Sequence, residues 1–346
     1  MRKSLVLILS VMSAFSMIFS KVDEIDRINR LNQLFTDSSS LSKAMKKYGY
    51  GESERFKAYI VCLESDEEGN IIKESRFDYN GTSYDTKYWA ASTVKLYASI
   101  AALKKAQILK IDPNEKIYFK IRKKTFSKTL TELIDEAIIN SDNIAYNFLV
   151  QFCGFDYLNS GFLWKENGFQ NTALCKAFEL RTWKKKMKAP VSFTEMIPVY
   201  VKRGKKYYIR NSVKKSSIKY NKKTYIQTTH YEMGECMLRF IFQNKLPDYE
   251  SYGLKEDYRK ILIKALSADK PVFNRTHQIF SEEFKKEFLF YNKPGFGNRW
   301  YSEIIYLNDP DNGKHWILSL SDYSGSDSLE DELKIIAKII RNNDLF

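Results

Sequence analysis

The segment "YWAASTVKLYASIAAL", Tyr88 to Leu103, sets one hydroxyl and one amine, Ser92 and Lys95, inside an otherwise apolar, helix-prone run. Three residues apart on a helix, the two lie on one face, so the amine can reach the serine oxygen. An ammonium taken out of water loses part of its preference for the charged form. A neutral amine can then accept the hydroxyl proton and leave a nucleophile. The competing reading makes Ser92 a helix cap and Lys95 a side chain that carries its head out to water. The same spacing recurs at Ser40–Lys43, Ser212–Lys215 and Ser216–Lys219 in polar, turn-like or basic surroundings, so the pattern decides nothing alone.

Two further groups could serve the same chemistry. Ser141-Asp142-Asn143 stands at a break between two helical patterns, where a cap and turn would also suffice. Lys293-Pro294-Gly295 lies on a strand pattern near the end, where a plain turn is the alternative. His230, His277 and His315 sit in unrelated contexts, which argues against a Ser-His-Asp triad. There is no His-Glu-x-x-His helix and no zinc-type cysteine spacing, so neither metal nor organic cofactor is expected.

Around these residues the pattern alternates between sheet and helix. "RFKAYIVCLESDEEGNIIKESRFDYN" reads as two strands about a turn, preceded by the helical "VDEIDRINRLNQLF" and a linker "SSSLSKAMKKYGYGES". The Ser92 helix follows, then helices on both sides of "NSDN", a short helix at "LNSGFLWKENGF", and helices at "TTHYEMGECMLRFIF", with a threonine cap, and "GLKEDYRKILIKALSAD". Between about Thr182 and Gln227 basic alternating stretches predict one or two exposed hairpins. Three strands ("EFLFYNKPGFG", "RWYSEIIYLND", "KHWILSLSDYS") and the amphipathic helix "DSLEDELKIIAKIIRNN" close the chain. The expected architecture is two-lobed α+β. An antiparallel sheet is flanked by the first and last helices, a helical lobe lies beside it, and a cleft separates them.

Residues 1–20, with Arg2 and Lys3 before a short apolar run, read as a cleaved signal peptide; an uncleaved anchor is the alternative. The mature domain would span 21–346. Its α/β lobe covers about 21–105 and 285–346, and its helical lobe about 106–284 with an insert at about 182–227. Export to the periplasm or medium permits disulfides. Cys62, Cys153, Cys175 and Cys236 allow three pairings, or remain buried thiols. The formal charge of +14 is concentrated between Arg181 and Lys223. A basic face suits nucleic acid, anionic lipid or anionic wall polymers. Export makes nucleic acid the least apt of these, and solvated surface lysine accounts for the excess as well. No stable membrane insertion is expected once the signal is removed, and a monomer is expected.

The order Ser92-x-x-Lys95, Ser141-Asp142-Asn143, Lys293-Pro294-Gly295 resembles the S-x-x-K, S-D-N and K-T-G signatures of serine β-lactamases and penicillin-binding proteins. The flanking "WAASTVK", "LTELIDEAIINSDNIAYN", "TTHYEMGECMLRF" and "SDYSGSDSLEDELKIIAKII" look like the class A β-lactamase group, over about Val22 to Asn342 with a poor fit from about Phe178 to Gln227. The resemblance implies Ser92 as acylated nucleophile, Lys95 as its base or relay, and Ser141 passing a proton to the leaving nitrogen. It further implies that Asn143 holds the substrate amide and that Lys293 and Gly295 flank the substrate. The backbone N–H groups of Ser92 and Phe296 would form the oxyanion hole, and Asn147 would brace the omega loop.

Two departures stand out. Pro294 replaces the family's Thr and brings neither hydroxyl nor N–H, and the bulky Phe296 follows. The omega-loop Glu-Pro-x-x-Asn pattern is missing. Glu179 in "CKAFELRTW" is the candidate for the deacylation base, with Glu195 further along. The implied substrate is a β-lactam or a peptidoglycan-derived amide. A D,D-peptidase or penicillin-binding protein is the same-class alternative, and a catalytically degenerate cell-wall-binding module the alternative of another class.

Overall fold

A computed structural model describes residues 39–346 apart from 82, 85, 164–166, 176–195, 212–225, 249, 271–274, 298, 310 and 324–328. The helices longer than two turns among the described residues are α1 (Ser39–Lys47), α2 (Lys95–Ile108), α3 (Leu130–Ile138), α4 (Asn143–Cys153), α5 (His230–Ile241), α6 (Glu256–Ser267), α7 (Arg275–Phe284) and α8 (Glu330–Arg341). The strands are β1 (Lys57–Ser65), β2 (Ile71–Asp78), β3 (Ile117–Ile121), β4 (Lys124–Lys128), β5 (Ala173–Leu174), β6 (Val199–Arg203), β7 (Lys205–Ile209), β8 (Ile226–Gln227), β9 (Phe290–Gly297), β10 (Trp300–Asn308) and β11 (His315–Asp322). The signal-peptide segment, the first predicted helix, Glu179 and Glu195 lie outside the described residues.

The first two strands and the last three form one antiparallel sheet in the order β2-β1-β11-β10-β9. Strand β1 reads as a continuous apolar run because both its faces are covered. Ala58, Ile60 and Cys62 join Trp316, Leu318 and the residues of α1, α7 and α8 in an outer core. Tyr59, Val61 and Leu63 point the other way, into a larger core shared with α2, α4 and α5. The strand period of two thus assigns alternate residues of one segment to two hydrophobic layers. Each fully buried Leu, Ile or Phe in them contributes about 1.5–3 kcal/mol.

Helix α2 lies inside the larger core and packs on α3, α4 and α6. Nearly all its residues from Lys95 to Ala106 are buried, as a helix apolar on every side requires. Thr129 and Glu132 cap α3 reciprocally, and Thr229 caps α5 by accepting from the Glu232 N–H at 3.2 Å.

Several expectations need correction. "SSLSKAMKK" is helix α1 and not a linker, and it includes the Ser40–Lys43 pair. Leu41, Ala44 and Met45, at helical spacing, are buried against the outer core, and that packing outweighs the run of serines. The hairpin β3–β4 and helix α7 were not anticipated. The β3–β4 turn lacks a glycine or asparagine signal because Arg122 itself takes the left-handed conformation, with φ 53°. The basic hairpin is present as β6–β7, and it docks on β3 to give a four-stranded sheet β4-β3-β6-β7. The second basic stretch falls mostly outside the described residues. None of the four cysteines is in a disulfide; all are buried thiols.

Helix α5 and strand β1 meet tightly at Gly234, where an added Cβ would come within 2.7 Å and 2.9 Å of the Tyr59 ring. That ring cannot swing aside: its hydroxyl donates to Glu235 at 3.2 Å and accepts from the buried Arg76 guanidinium, which also pairs with Glu235 and Glu74. Gly234→Ala is therefore expected to destabilise the protein by about 1–3 kcal/mol through overpacking. Denaturant unfolding checks this, and an unchanged midpoint would contradict it.

Candidate active site

Ser92 sits in a tight turn, Ala91–Val94, that runs directly into α2. Ala91 has φ 47°, a left-handed value uncommon for a residue with a Cβ. The turn is pinned at Ala90, whose carbonyl accepts from Thr93 N at 3.0 Å, Thr93 Oγ1 at 2.6 Å and Ser302 Oγ of β10 at 3.1 Å. The Ser92 side chain makes no cap to the helix. Lys95 does not reach water either: it is 0% exposed. Both halves of the cap-and-snorkel reading are thereby excluded.

A fully buried ammonium needs acceptors for its three N–H groups. Lys95 Nζ donates to Ser92 Oγ at 2.8 Å, to the Ser141 carbonyl at 2.6 Å and to Asn143 Oδ1 at 2.6 Å, with Ser141 Oγ at 3.2 Å. These acceptors come from the junction of α3 and α4. Asp142 caps α4 by accepting from the Ile144 and Ala145 N–H groups at 2.7 and 2.8 Å. Ser141 just before it adopts φ 51°, which brings its hydroxyl and its carbonyl to the same lysine. Ser141-Asp142-Asn143 is thus both a cap and part of the constellation: the aspartate serves the helix and its neighbours serve Lys95. Asn147, one turn further along α4, is buried.

The third side of the site is β9. Lys293, 0% exposed, donates to Ser141 Oγ at 2.9 Å and to the Pro294 carbonyl at 2.9 Å. Burial pushes its amine well below the ordinary lysine range, and the like charges of Lys95 and Lys270 push it further. Gly295 touches the nucleophile turn so closely that a Cβ there would meet Ser92 N at 2.8 Å, Thr93 N at 2.9 Å and Ser302 Oγ at 2.9 Å. Phe296, the next residue, is 48% exposed on this edge strand. The structure therefore brings Ser92, Lys95, Ser141, Asn143, Lys293 and Gly295 together.

Sequence reasoning missed the supports behind this group. Ser302 faces Gly295 in the β9–β10 register and ties the nucleophile turn to the sheet. Glu303 is buried beside Asn292 and Thr276, which donate to it at 2.6 and 2.8 Å. Burial raises its carboxyl to about 7, against the pull of those hydrogen bonds and of Lys293 and Lys270. Lys270 is buried, donates to the carbonyls of Ala265 and Leu266 at 3.0 and 2.9 Å, and is lowered by burial to about 8. No motif announces these residues, because their role follows from strand register and loop closure. The three histidines stand apart from the site. His230 lies between Ser319 Oγ and Ser321 Oγ, at 3.0 and 2.7 Å, stacked on Tyr88 and held neutral by burial. No group of metal-ligating side chains occurs among the described residues.

A five-stranded antiparallel sheet between helical layers, with a serine–lysine turn at its edge and a second serine hydrogen-bonded to that lysine, is the fold of the class A β-lactamases. The chain belongs to the β-lactamase enzyme family, which it matches over residues 40–342. Among solved structures it is similar to the TLA-1 extended-spectrum β-lactamase, at 15% identity and TM-score 0.58, covering 90% of this chain and 100% of that one. It is also similar to a class A β-lactamase from Bacteroides cellulosilyticus, at 14% identity and TM-score 0.54 over 89% and 98% of the chains. PBP-A, captured as an acyl-enzyme with penicillin G, is similar at 14% identity and TM-score 0.54 over 88% and 97%. At these identities the likeness is one of fold. No curated protein matches the sequence.

The Glu303 environment carries a pH signature. Its carboxyl moves from the ordinary 4.5 to about 7 on folding, so the folded state holds that proton more tightly. The associated stability is present below pH 4.5 and is lost as pH rises through 7, on the order of 3 kcal/mol across that window. Glu303→Gln should remove this component while the opposite, acid-side contribution of His230 persists. Unfolding midpoints of both proteins at pH 5 and pH 8 test it; parallel shifts in the two would refute it.

Proposed function

We propose that this protein is an exported, monomeric serine hydrolase acylated at Ser92 by a β-lactam or a related cyclic or D-amino-acyl amide. The observation that carries the reading is the continuous hydrogen-bonded path from Ser92 Oγ through Lys95 Nζ and Ser141 Oγ to Lys293 Nζ. In the proposed reaction Ser92 Oγ attacks the amide carbonyl and the C–N bond breaks. The serine proton passes to Lys95, and Ser141 delivers a proton to the departing nitrogen. For Lys95 to accept, it must first release a proton of its own. Lys293, held toward the neutral form by burial and by the charge of Lys95, has the lone pair to take it up through the Ser141 hydroxyl, against its lowered basicity. The two lysines therefore act as one coupled acid–base pair and not as independent groups. Backbone N–H groups of Ser92 and Phe296 are assigned to the oxyanion, a contribution of about 3 kcal/mol per donor. Asn143 is assigned to the substrate amide and Lys293 to its carboxylate. Glu179 is assigned to activation of the deacylating water, and Asn147 to bracing the loop that carries it.

Pro294 and Phe296 favour a second reading. Without the hydroxyl and N–H of a threonine, and with an aromatic ring half-exposed at the edge strand, the acyl-enzyme could outlast its formation, as in a penicillin-binding D,D-peptidase.

Intact-protein mass during incubation with a penicillin separates these. A transient adduct with consumption of the drug, lost in Ser92→Ala and made lasting by Glu179→Gln, is expected for the hydrolase. A lasting adduct on the unaltered protein selects the penicillin-binding reading. No adduct and no consumption would sink both and leave a wall-binding module. A second expectation concerns geometry: Gly295→Ala should slow adduct formation by about a hundredfold, since its methyl would displace the Ser92 and Thr93 backbone. Adduct formation at an unaltered rate would show that this contact does not shape the site.

A further inference from the structure

The sheet β4-β3-β6-β7 has two unlike faces. Ile117, Phe119, Val199 and Val201 go into the core, while Tyr118, Tyr200 and Tyr208 form a cross-strand row on the other side. Tyr118 and Tyr200 stack with centroids 5.2 Å apart and planes 8° apart, and Tyr200 and Tyr208 follow at 5.2 Å. Lysines sit over this row, Lys202 Nζ 4.4 Å from the Tyr118 ring centre and Lys206 Nζ 5.2 Å from that of Tyr200.

In the β6–β7 register Lys202 stands directly opposite Lys206, and Arg203 opposite Lys205. Like charges directly opposed across two strands weaken a hairpin. Arg203 is relieved by Glu115, with which it pairs at 2.5 Å. Lys202 and Lys206 have no carboxylate within ion-pair distance among the described residues, and both are exposed. Attraction of cation to ring keeps both ammonium groups on the tyrosine face of the sheet, where both lysines are exposed. Two positive charges on one face with no described carboxylate beside them are complementary to an anionic chain.

We propose that this lysine–tyrosine face is a binding site, separate from the Ser92 centre, for an acidic polysaccharide. The choice of polymer follows from what the face offers. A single-stranded nucleic acid binds by stacking bases on open aromatic rings. Here Tyr118 and Tyr200 stack on each other beneath Lys202 and Lys206, and Tyr208 is left as a single exposed ring, not a platform for successive bases. Ammonium groups and the phenol of Tyr208, 56% exposed, are what remains outward. These groups suit acidic substituents and sugar hydroxyls. The site does not depend on turnover at Ser92.

The test is affinity of the full-length mature protein for polygalacturonate at low salt, with neutral dextran and an oligo-dT as comparators. Lys202→Gln/Lys206→Gln should weaken polygalacturonate binding about tenfold and flatten its salt dependence. Lys260→Gln/Lys338→Gln removes the same charge from exposed positions elsewhere and should change it little. Ser92→Ala should bind as the unaltered protein does. Equal losses in the two double variants would reduce the effect to net charge and overturn the proposal. Tighter binding of oligo-dT, lost in Lys202→Gln/Lys206→Gln, would reassign the face to nucleic acid. Failure to bind polygalacturonate would overturn it outright.

Discussion

The ammonium of Lys95 is the constraint on which the site depends. An ion of that size moved out of water without partners costs many kcal/mol. The chain meets the demand from three places: the hydroxyl of its own turn, the carbonyl of Ser141 and the amide of Asn143. The left-handed backbone at Ser141 and the Asp142 cap then acquire a reason, since they turn those acceptors toward α2. Charge burial and acid–base chemistry make the same geometric request, so the arrangement that satisfies the lysine also aligns the proton path.

That path ends at β9, and there the electrostatics become collective. Lys95, Lys293 and Lys270 are all buried, and Glu303 is the carboxylate that offsets the latter two. Burial disfavours the charge on each, while the glutamate restores some of it. The state of Lys293 is thus set jointly by the helical junction and by the back of the sheet. The close seat of Gly295 against the Ser92 backbone fixes the third side sterically. Ser302 locks the turn to the strand by hydrogen bond.

The legible part of this in the sequence was the part written in local spacing. Ser92 with Lys95, the Ser141-Asp142-Asn143 break, the three final strands and the threonine cap of α5 all follow from periodicity and capping chemistry. Ser302 and Glu303 did not emerge, since their meaning exists only once β10 is placed in register with β9. Lys270 depends likewise on how the chain closes after α6. Helix α1 was masked by serines whose neighbours Leu41 and Met45 find a partner only in the folded outer core. The β3–β4 turn was hidden because an arginine occupies a conformation usually advertised by glycine. The thiols illustrate the limit from the other side, as spacing left pairing and burial equally open and only packing decided.

The outer core of α1, α7 and α8 is a separate matter. It lies behind the sheet, and the Ser92 group lies in front. Substitutions there draw on the reserve of stability, while the geometry in front is shielded by five hydrogen-bonded strands. Thr276 anchors Glu303 on this rear face, and the Glu303 charge is felt by Lys293 on the other. Behind the sheet, away from Glu303 and its partners, the sequence is then free to drift as long as volume is kept, and identity can fall far there while the reactive face stays in place.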